Sequence, residues 1–112
     1  MTNKEREMTE FKEKTLLNNA TSEGAGEAEV MGYESATVAI SGTFVAEIKI
    51  QGKLGDEWYD LAVVNCSTLD YSESITAAGL YAVVGADKCQ AIRANVTSYT
   101  SGAVNAIGRF SF

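Results

Sequence analysis

GTFVAEIKIQGKLGDEWYDL, residues 42–61, is the stretch that decides the fold of this chain. Residues 44–50 place four apolar side chains on one face and mostly polar ones on the other, which is the period of a half-buried β-strand. Two glycines and an aspartate within residues 52–57 favour a turn, after which the pattern resumes at Trp58. The stretch therefore predicts a β-hairpin. Trp58 is the only tryptophan, and we predict that its ring covers the apolar face of the hairpin as the anchor of the core.

The chain from Thr15 onward consists of short β-like runs separated by Gly, Ser, Asn and Asp, with no proline to interrupt a sheet. Candidate strands lie near residues 16–20, 27–32, 36–41, 43–51, 58–64, 71–76, 80–84, 91–97 and 104–112. Short strands at this regular spacing predict an all-β fold, an antiparallel β-sandwich of the jelly-roll or Ig-like kind with about eight strands. We assign residues 15–112 to this sandwich.

Residues 1–14 differ from the rest and are predicted to form an N-terminal arm, helical or extended. KEREMTEFKEK, residues 4–14, is made of good helix formers, with Met8 and Phe11 three positions apart. A helix this short and this weakly apolar is marginal in water, so the segment is either a solvated tail or is ordered by a partner. If the arm binds a partner, we expect Met8, Phe11, Leu16 and Leu17 to make the contacts.

Composition excludes several classes of protein. The chain has 112 residues, which suits one domain, and its net charge of −6 with only nine Lys and Arg argues against binding to nucleic acid. No apolar run is long enough for a membrane helix and the N-terminus lacks the apolar region of a signal peptide, so we expect no membrane association and synthesis in a cytoplasm. Cys66 and Cys89 are therefore predicted to be free thiols, since a single pair without an export signal more often stays reduced.

The sequence offers little for catalysis or metal binding. It contains no histidine, the commonest general base and transition-metal ligand. Asp56, Glu57 and Asp60 are close in sequence, but they lack the spacing of a calcium loop. We expect no cofactor, no metal and no enzymatic activity.

Tyrosines are the remaining candidates for a binding face. Tyr33, Tyr59 and Tyr99 could stack against a sugar or a partner protein if they are exposed, because the ring is amphipathic and loses little entropy on binding. The alternative is that they pack in the domain, as tyrosine commonly does in part.

The order of several short motifs resembles that of a group of small β-sandwich modules in structural proteins of tailed bacteriophages. The matching segments are Leu16–Thr21, Gly24–Gly26, Ser41–Phe44, Gln51–Gly52, Trp58, Ala78–Tyr81, Ile92–Tyr99 and Thr100–Val104. The resemblance implies a virion component made in the host cytoplasm, such as a capsid decoration protein, a head fibre or part of a neck or tail. It also implies other virion structural proteins as partners and a homo-oligomer.

Two functions from different classes follow from these observations. The first is a non-enzymatic virion structural protein, most simply a capsid decoration or head-fibre protein that docks on the particle. The alternative is a carbohydrate-binding or host-adhesion module that uses exposed tyrosines and the turn at residues 52–58. A glycan as ligand belongs to this second hypothesis.

Overall fold

The computed structural model describes residues 11–112 and confirms an all-β fold of two antiparallel sheets packed face to face. Residues 11–112 contain eleven strands instead of about eight. They are β1 Phe11–Ala20, β2 Gly24–Ala25, β3 Glu29–Val30, β4 Ser35–Ser41, β5 Phe44–Leu54, β6 Glu57–Leu61, β7 Val63–Asn65, β8 Tyr71–Ser72, β9 Gly79–Val83, β10 Ala91–Gly102 and β11 Val104–Ser111, with one 3₁₀ turn at Ala86–Lys88. The count is higher because β2, with two residues, leaves no alternating pattern in the sequence, and because the predicted strand at residues 58–64 is divided into β6 and β7.

Repeated crossings of the chain between the two sheets build the sandwich. The first sheet has the order β1-β11-β4-β9-β7-β8, and the second has the order β2-β10-β5-β6 with β3 also paired to β10. Within residues 11–112 the chain therefore changes sheet six times: between β1 and β2, β3 and β4, β4 and β5, β6 and β7, β9 and β10, and β10 and β11. The predicted hairpin is confirmed as β5–β6, which turns at Gly55 with φ 64° and pairs Lys53 with Trp58.

The core lies between the sheets, and its largest fully buried side chain is Phe110 of β11. Trp58 is half-buried and does not belong to the core, so its prediction as the core anchor is wrong. The register explains the difference. Ile48 and Ile50 face inward on β5, so Lys53 faces outward, and Trp58 lies directly opposite Lys53 on the same outer face.

The N-terminal strand corrects the prediction for residues 4–14. Residues 11–14 form a strand and not a helix, and they pair with the last strand from Phe11 opposite Ser111 onward. The other predicted helical residues, 4–10, lie outside the described part, as does the proposed contact Met8. Strand β1 runs through the predicted boundary between arm and sandwich at residues 14 and 15.

Ion pairs help to keep residues 11–14 extended. Glu29 of β3 is the one buried charged residue within residues 11–112, and Lys12 and Lys14 reach it at 3.0 and 3.8 Å. The hydrogen bond to the Glu29 carboxylate and the charge of that group raise the pKa of Lys12. Lys12 and Lys14, at alternate positions of β1, share one carboxylate on a strand of the other sheet, so the extended form gains contacts that a helix at this place would lose.

Leu16 and Leu17 are core residues, exposed by only 1% and 5%, and are therefore unavailable as contacts of an arm. Two consecutive residues of a regular strand point to opposite faces, but the pairing of β1 with β11 shifts register between Thr15 and Leu17. An irregularity of this kind lets both leucines turn toward the interior. The prediction of a partner contact at these two positions is wrong.

Cys66 is exposed, Cys89 is half-buried, and both are free thiols, as predicted. Within residues 11–112 no helix has the length and the apolar character needed to span a membrane.

Candidate interaction surfaces

The outer side of the first sheet carries an apolar strip that runs across its strands. Ile107 of β11 lies opposite Ala39 of β4, which in turn lies opposite Leu80 of β9. On the next rung, Ala82, Val64 and Tyr71 lie opposite one another across β9, β7 and β8. Together with Phe11 of β1, these side chains make up what we call the apolar face: Phe11, Ala39, Val64, Tyr71, Leu80, Ala82 and Ile107.

The large side chains of the apolar face are open to solvent. Leu80 is 47% exposed, Ile107 46% and Tyr71 73%. The outer side of an antiparallel sheet is normally polar, with its apolar residues directed to the core. A strip that repeats an apolar side chain on neighbouring strands is therefore typical of a surface that another molecule covers.

The loop between β7 and β8 adds Leu69 at the same edge of the sheet. Leu69 is 73% exposed and has φ 64°, a left-handed conformation that is rare for a bulky residue. The loop is held by local hydrogen bonds: the N–H of Leu69 donates to the Asn65 carbonyl at 2.7 Å, and the N–H of Ser67 donates to Asn65 Oδ1 at 2.8 Å. An unfavourable backbone conformation is thus maintained at a leucine that the domain does not bury.

Phe11 lies at the opposite edge of the apolar face and is 41% exposed. The guanidinium of Arg109 stacks on its ring at 4.1 Å from the centroid, and Arg109 also pairs with Glu13 at 3.6 Å. Of the predicted arm contacts that the structure describes, Phe11 alone is in a position to meet a partner.

The outer side of the second sheet is different and is called here the polar face. Its residues come from β5, β10 and β6: Lys49, Gln51, Lys53, Arg93, Asn95, Thr97, Trp58 and Asp60. A chain of hydrogen bonds links three strands, because Arg93 Nε donates to Gln51 Oε1 at 2.9 Å and Gln51 Nε2 donates to Asp60 Oδ1 at 2.8 Å. The bond from Gln51, and then that from Lys49 at 3.4 Å, hold the pKa of Asp60 below its usual value.

Trp58 lies at one end of this hydrogen-bonded chain. The Arg93 guanidinium lies over the Trp58 ring, 4.1 Å from the ring centroid, which is favourable cation–π geometry. The sole tryptophan is thus part of a surface network and not of the interior.

The three predicted contact tyrosines lie on separate elements. Tyr59 of β6 is 53% exposed. Tyr33, between β3 and β4, is half-buried with its ring centroid 5.7 Å from that of Phe110 and 5.3 Å from that of Phe112. Tyr99 is half-buried near the end of β10, where its hydroxyl donates to the Gly102 carbonyl at 2.6 Å. Tyr33 and Tyr99 therefore pack in the domain, which is the alternative to a contact role given above.

No group of three or more Cys, Asp or Glu side chains is arranged to hold a metal ion in the part of the chain from Phe11 to Phe112.

No protein-family model and no curated protein matches the sequence. Two solved structures are similar to this chain. One is the SPBc2 prophage-derived protein YomS, with 26% sequence identity and a TM-score of 0.81 over 91% of this chain and 93% of that one. The other is the PBSX exported protein XepA, with 20% identity and a TM-score of 0.72 over 89% of this chain but only 38% of that one.

These two likenesses agree with the sandwich described above. The likeness to XepA is a likeness of fold, whereas the likeness to YomS extends over nearly the full length of both chains. YomS is a prophage-derived protein. The comparisons therefore support a phage-related protein with a β-sandwich fold and a phage-associated location.

Proposed function

We propose that this chain is a non-enzymatic structural protein of a tailed-phage particle, of the capsid decoration or head-fibre kind, and that it docks through the apolar face on another protein of the particle. The observation that carries the proposal is the exposure of Leu80, Ile107 and Tyr71 on one side of one sheet. The order of sequence motifs and the likeness to prophage proteins support the phage setting.

The layout of the apolar face is typical of a protein interface. Its centre is formed by uncharged side chains of β4, β9 and β11, while the charged pair of Glu13 and Arg109 lies between this centre and Phe11. Specific interfaces commonly have an apolar centre and a polar rim, and burial of the centre provides most of the binding free energy. Leu69 and Tyr71 extend this surface at the far edge.

The proposed occupant is a different protein of the particle, and the net charge is the reason. Each copy of the chain carries a net charge of −6, so two copies brought together repel, whereas a neutral or basic partner does not. Phe11, the one exposed contact among the predicted arm residues that the structure describes, lies on this same outer side of the first sheet.

The test compares two substitutions to glutamate on opposite sides of the sandwich. Leu80→Glu places a charge at the centre of the apolar face, and Asn95→Glu places the same charge on the polar face. Binding is measured by co-sedimentation with phage particles that lack the protein. We expect Leu80→Glu to lower the affinity at least tenfold and Asn95→Glu to leave it within twofold, with both variants folded by circular dichroism.

Undiminished binding of Leu80→Glu to the particles would overturn the docking surface proposed here. Sedimentation equilibrium of the isolated protein tests whether the apolar face instead joins copies of this chain. If the wild type is an oligomer that Leu80→Glu converts to a monomer, the apolar face joins copies of this chain, and docking on the particle through this face is contradicted.

A further inference from the structure

The polar face contains the only basic side chains without an acidic partner in the described part of the chain. Residues 11–112 include seven Lys and Arg, and five of these form ion pairs with Glu or Asp. The two that remain are Lys53 and Arg93. Both point outward from the second sheet, on neighbouring rungs of the β5–β10 ladder.

The carboxylates that could neutralise these two cations are engaged elsewhere. Asp60 accepts hydrogen bonds from Gln51 and Lys49, and Glu47 accepts one from Thr97 at 2.8 Å. Gln51 lies between Arg93 and Asp60 and bonds to both, so Arg93 is fixed by a neutral amide. The result is a local positive charge on an otherwise acidic chain.

Arg93 is held in one orientation, while its two terminal amino groups are left without a hydrogen-bond partner among residues 11–112. Its Nε donates to Gln51, and its guanidinium carbon lies over the Trp58 ring. Neither terminal amino group has a hydrogen-bond partner among residues 11–112. These two groups form the edge of the guanidinium that binds a carboxylate through two parallel N–H···O bonds.

The neighbours of Arg93 indicate the rest of the ligand. Lys53 lies directly opposite Trp58, so a second cation flanks the same indole ring. Gln51 and Asn95 on the same face can both donate and accept hydrogen bonds, which matches the hydroxyl groups of a sugar. An open sheet face that presents such side chains on neighbouring strands suits an extended chain of sugar rings that lies across the strands.

We propose that the polar face binds an acidic polysaccharide of uronate type, in which Arg93 holds a carboxylate, Lys53 attracts the next one, and Trp58 contacts a sugar ring. A peptide with acidic side chains fits less well, because acidic peptide motifs are usually recognised by clusters of Arg side chains, and Arg93 is the one Arg that the described residues place on the polar face. The site lies on the sheet opposite to the apolar face and does not depend on the docking function.

The sole tryptophan makes binding directly measurable. Polygalacturonate is titrated into the full-length protein while the fluorescence of Trp58 is followed, and the dissociation constant is confirmed by calorimetry. Dextran, an uncharged polymer, is the ligand control. We expect binding of polygalacturonate that weakens as salt is added, and at least tenfold weaker binding of dextran.

Charge-matched variants locate the site. Arg93→Gln and Lys88→Gln each remove one positive charge, but Lys88 is on the 3₁₀ turn and pairs with Asp87. We expect Arg93→Gln to weaken binding at least tenfold, Lys53→Gln severalfold, and Lys88→Gln less than twofold. Arg93→Lys should recover only part of the affinity, because a lysine cannot bind a carboxylate through two parallel bonds.

Three results would overturn the proposal. They are no binding of polygalacturonate by the wild type, an equal loss for Arg93→Gln and Lys88→Gln, and tighter binding of a phosphodiester polymer than of the uronate. The same variants should dock on particles as the wild type does. A failure to bind polygalacturonate therefore leaves the docking proposal unaffected. A failure to dock on particles likewise leaves the polysaccharide proposal unaffected.

Discussion

The two outer faces of the sandwich have the same architecture but opposite chemistry. Both are antiparallel sheets whose inner sides build one shared core. On the first sheet the outward positions hold Ile107, Ala39 and Leu80, whereas on the second they hold Arg93, Gln51 and Asp60. The two surfaces therefore differ in the chemistry of their outward side chains and not in the sheet architecture beneath them.

The difference determines which forces act at each surface. Covering the apolar face releases water from nonpolar area, an effect that salt weakens little. Binding at the polar face depends on exposed charges, which salt screens within about 10 Å at 0.1 M. A single small domain can thus meet two unlike partners on opposite sides, under different solution conditions.

The largest expected effect is the difference in stability loss between a core substitution and a substitution on the apolar face of the same sheet. Phe110→Ala empties a fully buried site and should destabilise the fold by about 3–5 kcal/mol. Leu80→Ala removes an outward side chain that is 47% exposed and should cost less than about 1 kcal/mol. Urea denaturation measures both. A cost for Leu80→Ala of about 2 kcal/mol or more would mean that the domain itself covers this face.

The same comparison on the second sheet concerns Trp58. Because its ring stacks on Arg93 outside the core, Trp58→Ala should cost about 1 kcal/mol, far less than Phe110→Ala. Trp58→Phe, which keeps an aromatic ring beneath the guanidinium, is the matched control and should recover part of the loss. If Trp58→Ala is as damaging as Phe110→Ala, the polar face is not a surface.

A pH titration tests the hydrogen bonds of the polar face. The pKa of Asp60 lies below its usual value, with the bond from Gln51 as the main cause. Because the folded pKa is the lower one, this contribution to stability is present above the usual pKa of about 4 and is lost as the pH falls through the folded value.

Gln51→Met should therefore raise the pKa of Asp60 toward normal, as measured by NMR of its carboxyl carbon. Lys49→Met should raise it less. The reverse order would show that charge, and not the amide bond, controls this carboxylate.

The smallest effect is a difference in thiol reactivity at the two sheets. The backbone N–H of Cys66 donates to the Leu80 carbonyl at the margin of the first sheet, and its side chain is exposed. Cys89 is half-buried against Gly52 of the second sheet, and burial raises the pKa of its thiol. Iodoacetamide should thus modify Cys66 faster in the native protein, while both react in urea. Equal native rates would contradict this difference.

The sequence predicted the class of fold and the central hairpin, because alternation along a strand is a local property. It did not predict the side on which Trp58 lies, although the information was present. The inward positions Ile48 and Ile50 fix Lys53 as outward, and a tight turn at Gly55 then places Trp58 opposite Lys53. The error came from assigning the largest ring to the interior without counting positions through the turn.

Leu16 and Leu17 could not be placed from the sequence, because an irregular pairing between two strands far apart in the chain turns both inward. The apolar face left a weak signal. Leu80 to Val84 is a continuous apolar run, and Ile107 follows Ala106 without alternation. A strand that is apolar on both sides is typical of one covered on both faces, but its neighbours in the sheet, which make the strip continuous, are set by tertiary pairing alone.

Phe11 and Ser111 are paired partners in the first sheet, so the chain enters and leaves the sandwich at adjacent points. A domain with neighbouring ends can be set into a surface loop of another protein through two short linkers, or its ends can be joined and the chain opened elsewhere, without pulling the sheets apart. Evolution can therefore move such a sandwich between larger proteins as one piece.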